Sequence, residues 1–334
     1  MSLLRSPVAF GLRDVSFTVE AERRMRIYFP AGPGKGDPVD PETAEILPGD
    51  YPLLVFVHGD RGSSPEMCPP DWTTDYTRWG GVLHLLARCG FVVVAPDVSG
   101  PLSSGNEKTA AADASALVTD VIRWMYSDWE HREVLLTVIG QQSYPMGLIG
   151  HSWGALVCAR LVGSPEFPAR AVATISGTWT SETAKRQVVE AGVPLLFVNG
   201  TDEAGLFNQP DFQPYPEAGL PKHQAALQKA GHWDWFPPGQ DIVPCSGSSR
   251  NPCGVAWQAA SELCLTFFYK YLYRNWFLRP YLLTSAGTRP PLLPSFEPGT
   301  GCAIKIRWET EEEETSHGRV GEVTLGDWTE GSPW

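Results

Sequence analysis

The pentapeptide Gly150-His151-Ser152-Trp153-Gly154 follows directly on the apolar run Met146-Gly147-Leu148-Ile149 and leads into the small, apolar, helically spaced stretch Ala155 to Val162. A serine between two glycines at such a junction marks a strand that turns sharply into a helix, the arrangement called a nucleophile elbow. The turn strains the serine backbone, and a side chain at either flanking position would clash. Glycine removes the clash. The hydroxyl is then left exposed above the edge of a buried sheet, so the pentapeptide constrains the fold as well as the chemistry.

The rest of the chain reads consistently with that constraint. Val15 to Phe29 alternates apolar and polar residues as a pair of antiparallel edge strands would. Leu53-Leu54-Val55-Phe56-Val57 and Phe91-Val92-Val93-Val94-Ala95 are short continuous apolar runs, the pattern of parallel strands buried on both faces. Helices are expected around Trp79–Cys89, over 112–126 and, strongly amphipathic, over about 255–277. Further strands are expected at 171–176, at Leu195 to Asn199 and near 224–229. Strands alternating with helices imply a mostly parallel central sheet with helices on both faces. The fold class is therefore α/β. Only about 17 residues separate strand 171–176 from the strand at 194, a short connection that leaves no room there for an inserted cap. Residues 1–285 are read as one catalytic domain. Residues 286–334 are read as a Pro-rich linker and a small β extension, in which Ala303 to Trp308 and Val320 to Leu325 would pair as a hairpin.

Bulk properties exclude several classes. A formal charge of −12 disfavours nucleic acid or an anionic membrane surface as the main partner. No apolar run approaches the ~20 residues of a membrane span. The opening Met1 to Pro7 lacks the apolar centre of a secretory signal, which points to a cytoplasmic protein, or a secreted one where a leader is removed. The 7 cysteines are scattered. Cys89, Cys158 and Cys264 sit in apolar stretches and read as buried thiols. Cys245 and Cys253 bracket a short polar loop that a disulfide could close, and no nearby ligand completes a metal set.

A serine hydroxyl needs a base within hydrogen-bond reach, usually a histidine oriented by a carboxylate. On an elbow of this kind the acid and then the histidine follow the serine in the chain. Asp202 comes just after the buried strand ending in Val198-Asn199-Gly200, and His232 comes just after the last short strand. With Ser152 they form the candidate triad, all at the carboxyl edge of the sheet, where open α/β sheets hold ligands. Glu203 adjoins Asp202 and should point elsewhere. His223 precedes the last strand at its far end and reads as structural or exposed. His151 should pack beneath the elbow, and His58 should brace the loop after its strand. Donors for a developing oxyanion are expected from the backbone N–H of Trp153 and of Asp60, with Arg61 as the alternative to Asp60. Trp153, Trp179, Trp233 and Arg61 are the candidates for the substrate mouth, whereas Trp235 and Phe236 read as core.

With Val57-His58-Gly59, Ala95-Pro96-Asp97, the elbow, Asp202 and Gly231-His232 in place, the chain resembles an α/β-hydrolase over roughly residues 15–280. Within that superfamily it is similar to the capless branch of dienelactone hydrolase-like, platelet-activating-factor acetylhydrolase-like and cutinase-like polyester hydrolases. In the polyester enzymes a tryptophan at the place of Trp179 lines the ester cleft. The chain departs from them at Asp60, where they usually carry an aromatic residue, and at Trp153, where they usually carry methionine. Dienelactone hydrolases proper use cysteine where this chain has Ser152. The resemblance implies a serine esterase needing no metal or organic cofactor, acting on a small or polymeric ester. Two alternatives stay open: a serine peptidase of the proline iminopeptidase type, and a ligand-binding protein that keeps the fold without turnover.

Overall fold

The computed structural model describes residues 9–19, 21–32, 40–59, 75–102, 107–139, 142–177, 182–200, 222–227, 230–232, 234–235, 256–273, 304–312 and 315–325. Two long strands open the chain, β1 (Ala9–Thr18) and β2 (Glu22–Ala31). They are followed by β3 (Leu53–Val57), α1 (Asp75–Arg78), α2 (Gly80–Arg88), β4 (Val92–Pro96), α3 (Ser99–Leu102) and α4 (Glu107–Ser127). A small hairpin, β5 (Val138–Ile139) and β6 (Gln142–Ser143), precedes β7 (Met146–His151) and α5 (Gly154–Val162). Then come β8 (Ala171–Ile175), α6 (Glu182–Ala191), β9 (Leu195–Gly200), β10 (Lys222–Leu227), α7 (Ala256–Leu272), β11 (Ile304–Glu312) and β12 (Thr315–Leu325).

The main sheet has the order β1-β2-β4-β3-β7-β8-β9-β10-β11-β12. Its centre, from β4 to β10, is parallel throughout. β1 and β2 close one side as an antiparallel pair, with β2 antiparallel to β4. At the other side β11 runs antiparallel to β10 and β12 to β11, with Trp308 opposite Gly321. The expected absence of a cap falls partly on residues 201–221 and 236–255, the linker on 274–303 and the cysteine pair on 236–255, all outside the described residues.

Strand periodicity divides each apolar run between two layers. Leu53, Val55 and Val57 of β3 face one core together with Val92, Val94 and Leu148, whereas Leu54, Phe56, Val93 and Ile149 face the other. The first core is covered by α4, α5 and α6. In α4, Ala110, Ala114, Leu117, Val118, Val121, Ile122 and Met125 form the buried stripe of a 3.6-residue repeat. The second core is covered by α2 and α7. Gly147 belongs to this packing, because a Cβ there would lie 2.5 Å from the Phe268 ring of α7.

α7 differs from the amphipathic helix that its sequence suggests. Every residue from Cys264 to Lys270 is buried. The helix lies against the sheet on one side and α2 on another, and some of its polar groups find partners inside. The hydroxyls of Tyr269 and Tyr273 donate to the carbonyls of Cys89 and Gly90, which α2 leaves unpaired at its C-terminal end. Tyr271 and His223 pair at 2.7 Å. His223 is itself a difference: it lies within β10 and is 3% exposed, rather than before the strand. Cys89, Cys158 and Cys264 are buried free thiols and Trp235 is core, as expected. Among the described residues no helix is long and apolar enough to cross a membrane.

Candidate active site

β7 ends at His151 and α5 begins at Gly154, so Ser152 and Trp153 alone make the turn between them. Ser152 has φ 52°, the left-handed region that a non-glycine residue enters only under constraint. The constraint is supplied on both sides of the residue. Its N–H donates to the Ile175 carbonyl of β8 at 3.2 Å, and its carbonyl accepts the Ala155 N–H at 3.0 Å. The glycines flank it for steric reasons. A Cβ on Gly150 would sit 2.7 Å from the Ala155 backbone, and one on Gly154 would sit 2.0 Å from the Val57 carbonyl oxygen. Both obstacles are backbone, which cannot rotate aside. Gly154→Ala is therefore expected to destabilise the protein by about 3 kcal/mol or more, read as a lowered urea midpoint; an unchanged midpoint would contradict the packing of α5 against β3.

The turn after β3 passes directly over the serine. A Cβ on Gly59 would lie 2.6 Å from the Ser152 Cβ. His58 holds this turn from inside the protein. Its Nε2 accepts the Val98 N–H at 3.1 Å, so the proton resides on Nδ1, which donates to the Gly59 carbonyl at 2.8 Å. Val98 is anchored in turn by its neighbour Asp97, whose carboxylate meets Arg24 at 2.8 Å and accepts the Ser99 N–H at 3.1 Å.

His232 occupies a turn of its own. The Gly231 N–H donates to the Asp234 carboxylate at 2.7 Å, and the Asp234 N–H donates back to the Gly231 carbonyl at 3.2 Å. This closed turn approaches the elbow through His151: Nε2 of His151 is 3.2 Å from the His232 carbonyl oxygen, and the two rings are 4.9 Å apart at their centroids. The end of β9 touches the same turn, because a Cβ on Gly200 would be 2.0 Å from the Ala230 carbonyl oxygen. The sheet thus brings the Ser152 elbow, the His58-Gly59 turn, the end of β9 and the His232 turn to one edge.

Of the residues expected at this site, Ser152, Trp153 and His232 lie here. Trp153 is half-buried against the first core, and as the residue capping α5 its amide is among those that no carbonyl of the helix accepts. Asp60, Arg61, Trp179, Asp202 and Trp233 lie outside the described residues. Two contributors escape sequence reasoning. Asp234 has a local signal, a carboxylate three residues after a glycine, the spacing of a side-chain-closed turn. The bond of His151 to the His232 carbonyl has none, since the two are joined only by the tertiary fold. Among the described residues no three His, Cys, Asp or Glu side chains gather as a metal site.

The electrostatics of the edge follow from burial. Desolvation and then the neighbouring His232 hold His151 well below the usual histidine range, so it is neutral. Because a carbonyl only accepts, His151 carries its proton on Nε2.

The parallel centre, the antiparallel pair beside it and the strand–serine–helix turn form a recognisable topology, and a family model described as the alpha/beta hydrolase fold matches residues 52–210. The chain has the α/β-hydrolase fold. Among solved α/β structures, it is similar to a dienelactone hydrolase from Anabaena variabilis ATCC 29413, at 16% identity over 79% of this chain and 99% of that one, with a TM-score of 0.47. It is also similar to the esterase domain of a Rhodothermus marinus protein, at 17% identity over 78% of this chain and 99% of that one, with a TM-score of 0.44. A search of curated protein sequences finds no match.

Proposed function

We propose that this protein is a serine carboxylic ester hydrolase. The observation that carries the proposal is Ser152, held at φ 52° on the turn between β7 and α5, with the preceding His151 in contact with the turn that contains His232. Strain in the backbone of a residue is retained where the surrounding structure enforces it, and such sites are commonly functional. In the proposed reaction the Ser152 oxygen attacks the ester carbonyl carbon while the His232 imidazole accepts the hydroxyl proton. The resulting oxyanion is held by the N–H groups of Trp153 and Asp60. Collapse expels the alcohol, which takes the proton from His232, and leaves an acyl group on Ser152. Water then attacks that acyl group, giving up a proton to His232; collapse breaks the bond from the acyl carbon to the Ser152 oxygen, which takes the proton back from His232 as the acid leaves. Asp202 is assigned to orient the imidazole and to stabilise its charged form. Trp153, Trp179, Trp233 and Arg61 are assigned to the mouth that receives the ester.

The test is a fluorophosphonate probe together with a panel of p-nitrophenyl esters. The expected result is a single adduct on the peptide containing Ser152, and turnover of at least one ester. Intact protein carrying no adduct after long exposure would overturn the proposal. Hydrolysis of Pro-p-nitroanilide with no ester turnover would replace it with a peptidase.

A further inference from the structure

We infer that His151 is a positioning residue that locks the His232 turn to the serine elbow through its Nε2–H bond to the His232 carbonyl. The inference rests on the hydrolase reading above, but its structural half can be tested separately. His151 is the last residue of β7 and is 0% exposed. Its ring is held on several sides at once. The Trp79 indole packs on it at a centroid distance of 4.6 Å, and a Cβ on Gly59 would be only 3.2 Å from its Nδ1. The imidazole therefore has little freedom to rotate, and its Nε2 is directed at the His232 carbonyl 3.2 Å away.

What this contact adds is registration. The turn of residues 231–234 is closed internally by Gly231 and Asp234, which fixes its shape but not its placement over Ser152. Those two bonds would survive if the turn rocked as a unit. The bond from His151 restrains that motion, and its anchor is the residue that immediately precedes the serine. Placement matters because proton transfer requires the imidazole within hydrogen-bond reach of the hydroxyl. A misplacement of about 1 Å is enough to lower a rate by ~100-fold.

The chemistry of the donor is also suited to the task. An imidazole that must become a cation during turnover is disfavoured by a second cation nearby. His151 is buried and neutral, so it provides a donor without that repulsion. A lysine at this place would hold the carbonyl equally well but would oppose the imidazolium.

Three variants of the full chain test the inference. Gln in place of His151 sets an amide nitrogen close to where Nε2 stood and keeps the donor. Met has similar length without a donor, and Asn has an amide too short to reach. His151→Met and His151→Asn are expected to lower kcat on p-nitrophenyl acetate by roughly 10- to 100-fold with KM nearly unchanged. His151→Gln should restore most of the loss. Amide hydrogen exchange across residues 230–235 should accelerate in the Met and Asn variants and not in the Gln variant. Wild-type kcat and protection in His151→Met, or a His151→Gln as impaired as His151→Met, would overturn the inference. So would three variants that all fail to fold, since His151 would then serve packing alone. If Met alone fails to fold, the Asn and Gln comparison decides. If the wild type turns over no ester, the hydrolase reading fails and hydrogen exchange alone decides the locking.

Discussion

Ser152→Ala is expected to leave a folded protein whose ester turnover is lower by roughly 10⁴-fold or more, the size seen when a nucleophile that acts as a unit with its base is removed. Ser152→Gly should be equally inactive and should melt at or above the wild-type temperature. The reason lies in the backbone. Residue 152 is held at φ 52°, where an L side chain raises the energy by ~1–2 kcal/mol and glycine does not. The enforcing contacts are main-chain bonds to Ile175 and Ala155, and neither depends on the serine side chain. Calorimetry and an ester assay on the two variants check both halves. An active Ser152→Ala would end the case for the proposed reaction. A clearly destabilised Ser152→Gly would show that the elbow holds no strain for glycine to relieve.

Acid should unfold this protein earlier than its exposed ion pairs alone would suggest, because neutral histidines are built into its interior. Burial, followed by repulsion from Lys270, carries His223 down to about 3. Burial, followed by His232, keeps His151 well below its ordinary value. In the unfolded chain both would titrate near 6.5. Above that pH neither state binds the proton, and the contribution is complete. Below it the unfolded chain binds protons that the folded one refuses, so stability is lost as pH falls from about 6.5 toward the folded values. The slope is at most ~1.4 kcal/mol per pH unit for each group, or about 3 kcal/mol per unit for the pair. Against a typical net stability of ~5–15 kcal/mol, two pH units suffice to bring the protein close to unfolding. Urea midpoints measured from pH 7 to pH 4.5 should fall steeply below about 6.5. Because His84, lowered to about 4, shares in the fall, His223→Gln should flatten it by about a third; a parallel curve for that variant would remove His223 from the account.

His84 adds to the same trend on the other side of α2. Burial, with Arg26 and Arg88 nearby, lowers it to about 4, and its ring stacks on Phe10 at 3.9 Å. It also illustrates how differently histidines in one chain are used. His58, His84, His151 and His223 are all neutral or carbonyl-bound fixtures by virtue of their surroundings, whereas the residue types alone do not separate them from His232.

Local stereochemistry is what the sequence expresses best. The glycines at 150 and 154, the apolar run before them and the small residues after them state a turn whose sterics involve near neighbours, and the structure has that turn at those residues. The continuous apolar runs at 53–57 and 92–95 likewise mark strands covered on both faces, because only a strand with no solvent side tolerates such a run. Periodicity served less well for α7. Its sequence carries enough polar groups to suggest a wet face, yet every residue from Cys264 to Lys270 is buried, the Tyr269 hydroxyl donating to the Cys89 carbonyl at the end of α2 as that of Tyr273, just beyond α7, does to Gly90. Those partners are about 180 residues away in the chain.

Primary structure by itself therefore determined the elbow, the alternation of buried strands and helices, and the order in which Ser152 and His232 appear. Tertiary structure alone decided that His151 meets the His232 carbonyl, that Gly200 backs onto Ala230, and that His223 lies inside β10. The division has a physical cause. Clashes and repeat patterns act between residues within a few positions of one another, whereas these contacts exist only after the order of strands in the sheet and the handedness of the crossovers have folded distant segments onto one edge.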